Sequence, residues 1–340
     1  MYKIFFNLNF VSGAFPVIIK VFSSVFMLLN IRILSCKLKL QAEPEKPKQS
    51  KENFKKTNTM KKALIVGIND YAPIGSGGPD LNGCINDARD MANTLVICGF
   101  APSQIRILTN QNATKANILN YLKSLVSTSV KGDSLVFYYS GHGTRVANIG
   151  TDLEIDGLDE AICPHDYATA GVVRDDDFKA VLSKLKAGVN LEVVFDCCHS
   201  GTGTRKMDLG LSVDFSYEAA RFIPPMLEDE FYLTYANEIP LSKASKKETF
   251  TTKALVPIAG MNHTLWAASK DNQVSMEGSM NGQIRGYFTY HFCKILRATN
   301  GNIVRKTLDN QIAMALTAMG AAQINQTESI RPEFSQKIFS

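Results

Sequence analysis

The chain has 340 residues, of which 45% are hydrophobic and 20% charged, and this composition supports one large or two small globular domains with an apolar core. Its 37 lysines and arginines and 32 aspartates and glutamates leave a formal net charge of +5, spread along the chain, which argues against nucleic acid as the main partner. Seven cysteines without a CxxC pair argue against a disulfide framework or a zinc ribbon, and favour a reduced compartment or a reactive thiol.

The first 59 residues differ in composition from the rest. Residues 5–36 are mostly apolar but interrupted by polar residues, so they form a poor version of the roughly 20-residue span that a membrane helix needs. Three interpretations stay open: a signal or lipoprotein leader ending at Cys36, a tethering helix, or upstream sequence from a misassigned start. Residues 41–59 are rich in Pro, Lys, Glu and Ser, and predict a solvated linker. We expect a cytoplasmic protein, or an anchored or exported one if the leader is genuine, with membrane contact only through residues 1–36.

From Met60 onward, short apolar runs alternate with amphipathic stretches. The apolar runs predict buried strands, at residues 63–68, 105–108, 134–140, 191–195 and 264–269. Apolar residues at helical spacing predict helices, at residues 85–95, 113–125, 175–185, 287–296 and 307–319. This alternation predicts an α/β fold with a mostly parallel central sheet flanked by helices on both faces, in which functional residues gather at the carboxyl ends of strands. Residues 202–262 show little periodicity, which is typical of a functional or disordered insertion.

Two polar segments follow predicted strands at the point where each strand ends. The first is Ser140-Gly141-His142-Gly143, and the second runs from Asp196 to Gly201 and contains Cys198. A histidine held near a thiol can take its proton and later donate a proton to a leaving amine. An isolated cysteine is more often a small buried hydrophobe. Because both residues sit here in glycine-flanked turns at strand ends, the pattern favours a nucleophile and its base.

These two segments resemble the histidine and cysteine motifs of metacaspases and of the related bacterial caspase-like peptidases. Residues 62–71 and 81–88 resemble the same family, and the likeness covers residues 61–335. The resemblance implies a caspase-like fold and a cysteine endopeptidase. It also implies that the nucleophile is the cysteine directly before His-Ser-Gly, which is Cys198 and not Cys197.

The resemblance also implies which residues contact the substrate. The oxyanion hole would consist of the backbone N–H groups of Gly143 and Cys198, where a glycine lets the backbone approach a carbonyl group closely. Four residues would line the primary specificity pocket: Cys84, Asp87, Ser140 and Asp196. Because two carboxylates favour a guanidinium or an ammonium group, the expected substrates are polypeptides with Arg or Lys before the scissile bond. A simpler interpretation of Asp87 is a helix N-cap.

The same likeness suggests how the chain is divided after the leader and linker of residues 1–59. Residues 60–205 would form a large-subunit-like catalytic region, residues 206–262 an irregular processing loop, and residues 263–340 a small-subunit-like region that completes the sheet. We expect a monomer. We expect self-cleavage around the loop at basic residues, namely Arg205, Lys206, Lys243, Lys246, Lys247 and Lys253.

The chemistry requires no cofactor, and calcium is the activator that the resemblance suggests. By order along the chain, its ligands would be Asp159, Asp175, Asp176 and Asp208. The segment from Asp152 begins like a calcium loop but has Cys163 where an EF-hand has Glu. A solvated acidic loop and a helix N-terminus explain the same acidic residues without a metal.

The alternative from another functional class is a non-catalytic caspase-fold module that binds partners. Such a module needs no base beside a thiol, so the presence of both Cys198 and His142 argues against it.

Overall fold

The computed structural model describes residues 59–71, 80–147, 158–198, 218–221, 223, 255–257, 261–270 and 273–340. The predictions for residues 1–58, for Asp208 and for the six basic residues around the loop concern positions outside these ranges. Where the structure describes the chain, no helix has the length and apolar character that a membrane crossing needs.

A seven-stranded sheet lies at the centre of the described residues. The described residues form the strands of this sheet and of two smaller ones, namely β1 (Lys61–Gly67), β2 (Ile105–Thr109), β3 (Ser134–Ser140), β4 (Gly143–Ala147), β5 (Leu158–Ile162), β6 (Val173–Arg174), β7 (Asn190–Asp196), β8 (Glu218–Ala220), β9 (Leu255–Pro257), β10 (Thr264–Ala267), β11 (Met276–Met280), β12 (Gln283–Gly286) and β13 (Gln326–Ser329). The order in the central sheet is β2-β1-β3-β7-β10-β13-β9. The first five of these strands are mutually parallel, and β13 and β9 run in the opposite direction.

Helices cover both faces of this sheet. They are α1 (Cys84–Ile97), α2 (Lys115–Ser127), α3 (Tyr167–Ala170), α4 (Asp175–Leu182), α5 (Tyr287–Thr299) and α6 (Arg305–Ala318). Successive side chains of a strand point to opposite faces of its sheet, and β1 divides its apolar residues in this way. Leu64 and Val66 pack in a core cluster with α2 and α4, whereas Ala63 and Ile65 pack in a second cluster with α1, α5 and α6. The predicted α/β fold with a mostly parallel sheet is confirmed.

Two smaller antiparallel sheets lie beside the central one, and the sequence pattern did not predict them. One has the order β4-β5-β6 and the other the order β12-β11-β8. Their strands are two to five residues long, which is too short to show a periodicity of two. Strands β8 and β9 fall within residues 206–262, the segment that was expected to be irregular, and β8 pairs with β11 next to the ends of β3 and β7.

Candidate active site

The ladder between β3 and β7 places His142 and Cys198 at equivalent positions. Its register pairs Ser140 with Asp196 in parallel strands, so His142 and Cys198 each lie two residues beyond the same pair. Both are fully buried. The backbone of Gly143 approaches Cys198 so closely that a Cβ on Gly143 would overlap the Cys198 carbonyl oxygen, which leaves room only for glycine.

Hydrogen bonds on both sides hold the backbone of His142. Its N–H donates to Tyr71 Oη at 2.7 Å, and the two rings lie with their centroids 5.0 Å apart. Its carbonyl accepts from Cys163 N at 3.0 Å and from Tyr139 Oη at 2.7 Å. Because both backbone groups have partners inside the protein, the histidine occupies a fixed position at the end of β3.

Ser275 holds the thiol of Cys198. Ser275 N donates to Cys198 Sγ at 2.7 Å, and Sγ donates to Ser275 O at 3.1 Å. Burial raises the pKa of the Cys198 thiol to about 12, although backbone hydrogen bonds from Ser275 and Arg221 oppose the shift. The thiol is therefore protonated at neutral pH in this arrangement, and a base must remove its proton before it can attack. The neighbouring Cys197 packs in the hydrophobic core instead.

Arg221 contacts both the groups predicted to form the oxyanion hole and the residues predicted to line the specificity pocket. Its carbonyl oxygen accepts from Gly143 N at 3.0 Å and from Cys198 N at 3.1 Å, the two groups predicted to form an oxyanion hole. Its own N–H donates to Ser275 O at 3.1 Å, and Ile223 N donates to Gly143 O at 3.0 Å. The backbone is therefore held on both sides of the peptide bond that follows Arg221.

The guanidinium group of Arg221 is fully buried among three carboxylates. Nη2 lies 2.6 Å from Asp87 Oδ2 and 3.1 Å from Glu277 Oε2, and Nη1 lies 3.1 Å from Asp196 Oδ1. Nη1 also donates to Ser140 Oγ at 2.8 Å. A buried cation needs charged partners, and here both terminal nitrogens of the planar group have one.

All four residues that were predicted to line the specificity pocket lie together around this guanidinium. Asp87, Ser140 and Asp196 contact it directly, while Cys84 Sγ lies 3.9 Å from Glu277 Oε2. All four are fully buried. The roles of these residues in catalysis and specificity stay predictions.

The alternative interpretation of Asp87 as a helix N-cap is wrong. The N-cap of α1 is Gly83, and Asp87 lies in the first turn of the helix. Its Oδ1 accepts from Gly286 N at 3.0 Å, and its Oδ2 faces Arg221. Burial raises the pKa of Asp87 to about 6, although the charge of Arg221 opposes the shift.

Sequence reasoning did not identify Arg221, Ser275 or Glu277. Arg221 follows a three-residue strand inside a segment without periodicity. Ser275 and Glu277 left a signal, because they come shortly after β10, and β10 pairs in parallel with β7. Polar residues that follow the carboxyl end of a strand next to β7 are candidates for the same site.

The acidic residues proposed as calcium ligands do not form a cluster in the described part of the chain. No group of three or more His, Cys, Asp or Glu residues is arranged there to hold a metal ion. Asp175 and Asp176 lie in the first turn of α4, at 2.8 and 3.6 Å from Lys179 Nζ. Only the backbone of Asp159 is described, and Asp208 lies outside the described ranges, so the calcium site stays a prediction.

Comparisons with known proteins place the chain in a family. Residues 61–207 match the family model of the metacaspase peptidase C14 domain. Metacaspase-1B of Aspergillus oryzae is 34% identical in a 266-position alignment that covers 70% of this chain and 60% of that protein. Metacaspase-1 of Kluyveromyces lactis is 33% identical in a 263-position alignment that covers 69% of this chain and 58% of that protein. The match thus spans about 60% of the length of these curated relatives.

Two solved structures share the fold. A protein from Geobacter sulfurreducens aligns with a TM-score of 0.59 and 26% identity, over 83% of this chain and 98% of that one. Caspase-1 from Spodoptera frugiperda aligns with a TM-score of 0.50 and 13% identity, over 80% and 89% of the two chains, a likeness that concerns the fold alone. The sequence matches show that the chain belongs to the metacaspase family of C14 peptidases.

Proposed function

We propose that this protein is a cysteine endopeptidase that cuts polypeptides after arginine, with Cys198 as the nucleophile and His142 as its base. The observation that carries the proposal is the position of Arg221. Its carbonyl oxygen accepts hydrogen bonds from Gly143 N and Cys198 N, and its guanidinium lies among three carboxylates. A substrate residue in the same position would present its carbonyl carbon to the thiol.

The reaction would proceed by acyl transfer to sulfur. His142 takes the proton of the Cys198 thiol, and Sγ attacks the carbonyl carbon of the substrate. The carbonyl oxygen becomes an oxyanion, which the N–H groups of Gly143 and Cys198 stabilise. When the C–N bond breaks, His142 returns the proton to the leaving amine, and water then hydrolyses the thioester to release the new carboxyl group.

The pocket favours arginine, accepts lysine less well and excludes acidic side chains. Carboxylates face both terminal nitrogens of the Arg221 guanidinium, and lysine has only one nitrogen with which to meet them. An aspartate before the scissile bond would place a fourth carboxylate among three others, which is strongly unfavourable.

The first substrate that this geometry supports is the chain itself. The bond between Arg221 and Phe222 has its carbonyl oxygen at the proposed oxyanion hole, with Ile223 N held by Gly143 O on the other side. We therefore propose self-cleavage after Arg221, a residue that was not among the six basic positions expected from the sequence.

Intact-mass spectrometry of the purified full chain tests both parts of this proposal. The wild type should yield two fragments, one that ends at Arg221 and one that begins at Phe222. The variants Cys198→Ala and His142→Ala should stay intact, with unchanged circular dichroism. Cys197→Ala is the matched control and should still be cleaved. Equal fragmentation of wild type and Cys198→Ala would mean that another protease makes the cut. An intact wild type that also fails to hydrolyse arginine peptides would favour a non-catalytic module.

From the family resemblance, we also propose that calcium raises the activity. Sites of moderate affinity bind calcium at roughly 10⁻⁴–10⁻³ M, so a chelator should silence peptide hydrolysis and millimolar calcium should restore it. Full activity in excess chelator would contradict this regulation without affecting the assignment of Cys198.

A further inference from the structure

We propose that Glu277 determines specificity in this pocket, by selecting arginine over lysine at the position before the scissile bond. The inference rests on the proposed function and adds a residue that the resemblance to metacaspases did not assign.

Glu277 connects the start of α1 with the guanidinium group. The residue lies on β11 and is fully buried. Its Oε1 accepts from Asn82 N at 2.8 Å, and its Oε2 accepts from Gly83 N at 3.1 Å. The same Oε2 lies 3.1 Å from Arg221 Nη2. Two backbone N–H groups thus orient the carboxylate independently of the cation, so its position does not depend on a bound substrate.

The other two carboxylates also have partners that remain when the cation leaves. Asp196 accepts from Ser275 Oγ at 2.7 Å and from Thr289 N at 3.1 Å, and Asp87 accepts from Gly286 N at 3.0 Å. The pocket is therefore built from fixed anions. The three differ in the arm of the guanidinium that they contact, because Asp196 lies at Nη1 whereas Asp87 and Glu277 lie at Nη2.

The arms of the guanidinium distinguish arginine from lysine. Asp196 contacts Nη1, whereas Glu277 contacts Nη2, an arm that it shares with Asp87. A planar fork reaches both sides at once, whereas a single ammonium that approaches Asp196 leaves Glu277 with a weaker contact. Removal of the Glu277 charge should therefore weaken the binding of arginine more than that of lysine.

Glu277→Gln keeps the shape of the side chain but removes the charge and one acceptor for the N–H groups at the start of α1. A control must therefore loosen α1 without touching the guanidinium. Asn69→Ala meets this need, because Asn69 Oδ1 accepts from Ile85 N in the first turn of α1 at 3.1 Å. A variant that acts only by disturbing the helix should behave like Asn69→Ala and weaken both peptides equally.

The experiment measures binding and hydrolysis separately, so that the two proposals can fail independently. Binding is followed by fluorescence anisotropy of two labelled peptides, identical except for Arg or Lys before the scissile bond. The protein is the full chain with Cys198→Ala and Arg221→Ala, which removes the nucleophile and leaves the pocket without its internal occupant. Hydrolysis of the same peptides is measured with Arg221→Ala alone, and each chain is compared with and without Glu277→Gln or Asn69→Ala.

We expect Glu277→Gln to weaken arginine-peptide binding by about tenfold or more, and lysine-peptide binding by less, so that the ratio of the two affinities falls. Asn69→Ala should leave the ratio unchanged. An unchanged ratio in Glu277→Gln, or binding of neither peptide to the parent chain, would overturn the role of Glu277. Normal binding with a falling ratio, but no hydrolysis by any chain including the wild type with Arg221 in place, would refute the peptidase and leave the specificity role intact.

Discussion

Two arginines in the described chain are almost completely buried, and the charges around them differ. Arg305, on α6, meets one carboxylate, that of Glu192 on β7, with Nη2 at 2.5 Å and Nε at 3.1 Å from Oε1. Trp266 Nε1 donates to the other oxygen of Glu192 at 2.8 Å. Arg221 instead meets three carboxylates.

The difference in charge balance separates a structural ion pair from a binding site. Glu192 and Arg305 neutralise each other and join a central strand to a helix. Around Arg221, the carboxylates exceed the cation by two charges. Buried anions in excess are unfavourable for folding alone, so they are expected where a cation is a ligand. A buried salt bridge by itself therefore indicates nothing about function, whereas an excess of buried carboxylates over cations indicates a binding site.

The largest expected effect is on stability and concerns the ion pair between Glu192 and Arg305, in which the two charges balance. Arg305→Ala should lower the free energy of unfolding by about 3–5 kcal/mol, because it leaves Glu192 buried and unpaired. The measurement is urea unfolding in a Cys198→Ala background, which prevents self-cleavage. Arg221→Ala in the same background should cost clearly less if this pocket is a substrate site, because such a site must fill with water whenever its ligand leaves. If Arg221→Ala destabilised the fold as much as Arg305→Ala, the distinction between the two arginines would fail.

A smaller effect is expected on hydrolysis when the internal arginine is removed. A tethered residue competes with added peptide at an effective concentration of the order of millimolar, so Arg221→Ala should raise the initial rate on an arginine peptide by about tenfold. Initial rates with a fluorogenic peptide measure this, before the wild type has cut itself. Arg221→Lys is the conservative control and should compete less strongly than arginine. An inactive Arg221→Ala enzyme would mean that cleavage at this bond is required for activity.

The smallest effect is a dependence of hydrolysis on pH, caused by Asp87 in the pocket around Arg221. Burial raises the pKa of Asp87 to about 6, so this carboxyl loses its charge as the pH falls through that range, and kcat/KM for an arginine peptide should decline with it. Asp87→Asn should have a lower kcat/KM throughout and lack this component of the profile. If kcat/KM of Asp87→Asn declined at low pH in the same way as that of the wild type, the decline would belong to another titrating group.

The raised pKa of Asp87 also determines whether this residue stabilises or destabilises the fold as the pH changes. The folded state holds the Asp87 proton more tightly than the unfolded chain, where the pKa of aspartate is about 3.9. The contribution of Asp87 to stability therefore declines as the pH rises from about 4 to about 6, the opposite of an ordinary salt-bridged aspartate.

The sequence predicted those parts of the site that depend on the parallel strands. The apolar run of residues 134–140 coincides with β3, and the motifs after β3 and β7 contain His142 and Cys198. Arg221 and Glu277 depend on the pairing of β8 with β11, two strands of three and five residues. Such strands show no readable periodicity, and their pairing depends on contacts between segments distant along the chain. For this reason Glu277 and Arg221 could be recognised as parts of the site only from the structure.

The pairing of Ser140 with Asp196 has a consequence for how this site can change during evolution. Both residues contact the guanidinium, and the same two strands continue into His142 and Cys198. A shift of β3 against β7 would therefore alter binding and reaction together. The elements outside this ladder, α1 and β11, carry pocket residues without carrying the nucleophile or its base. New substrate preferences are accordingly expected to arise by substitution on these two elements, while the paired strands stay constant.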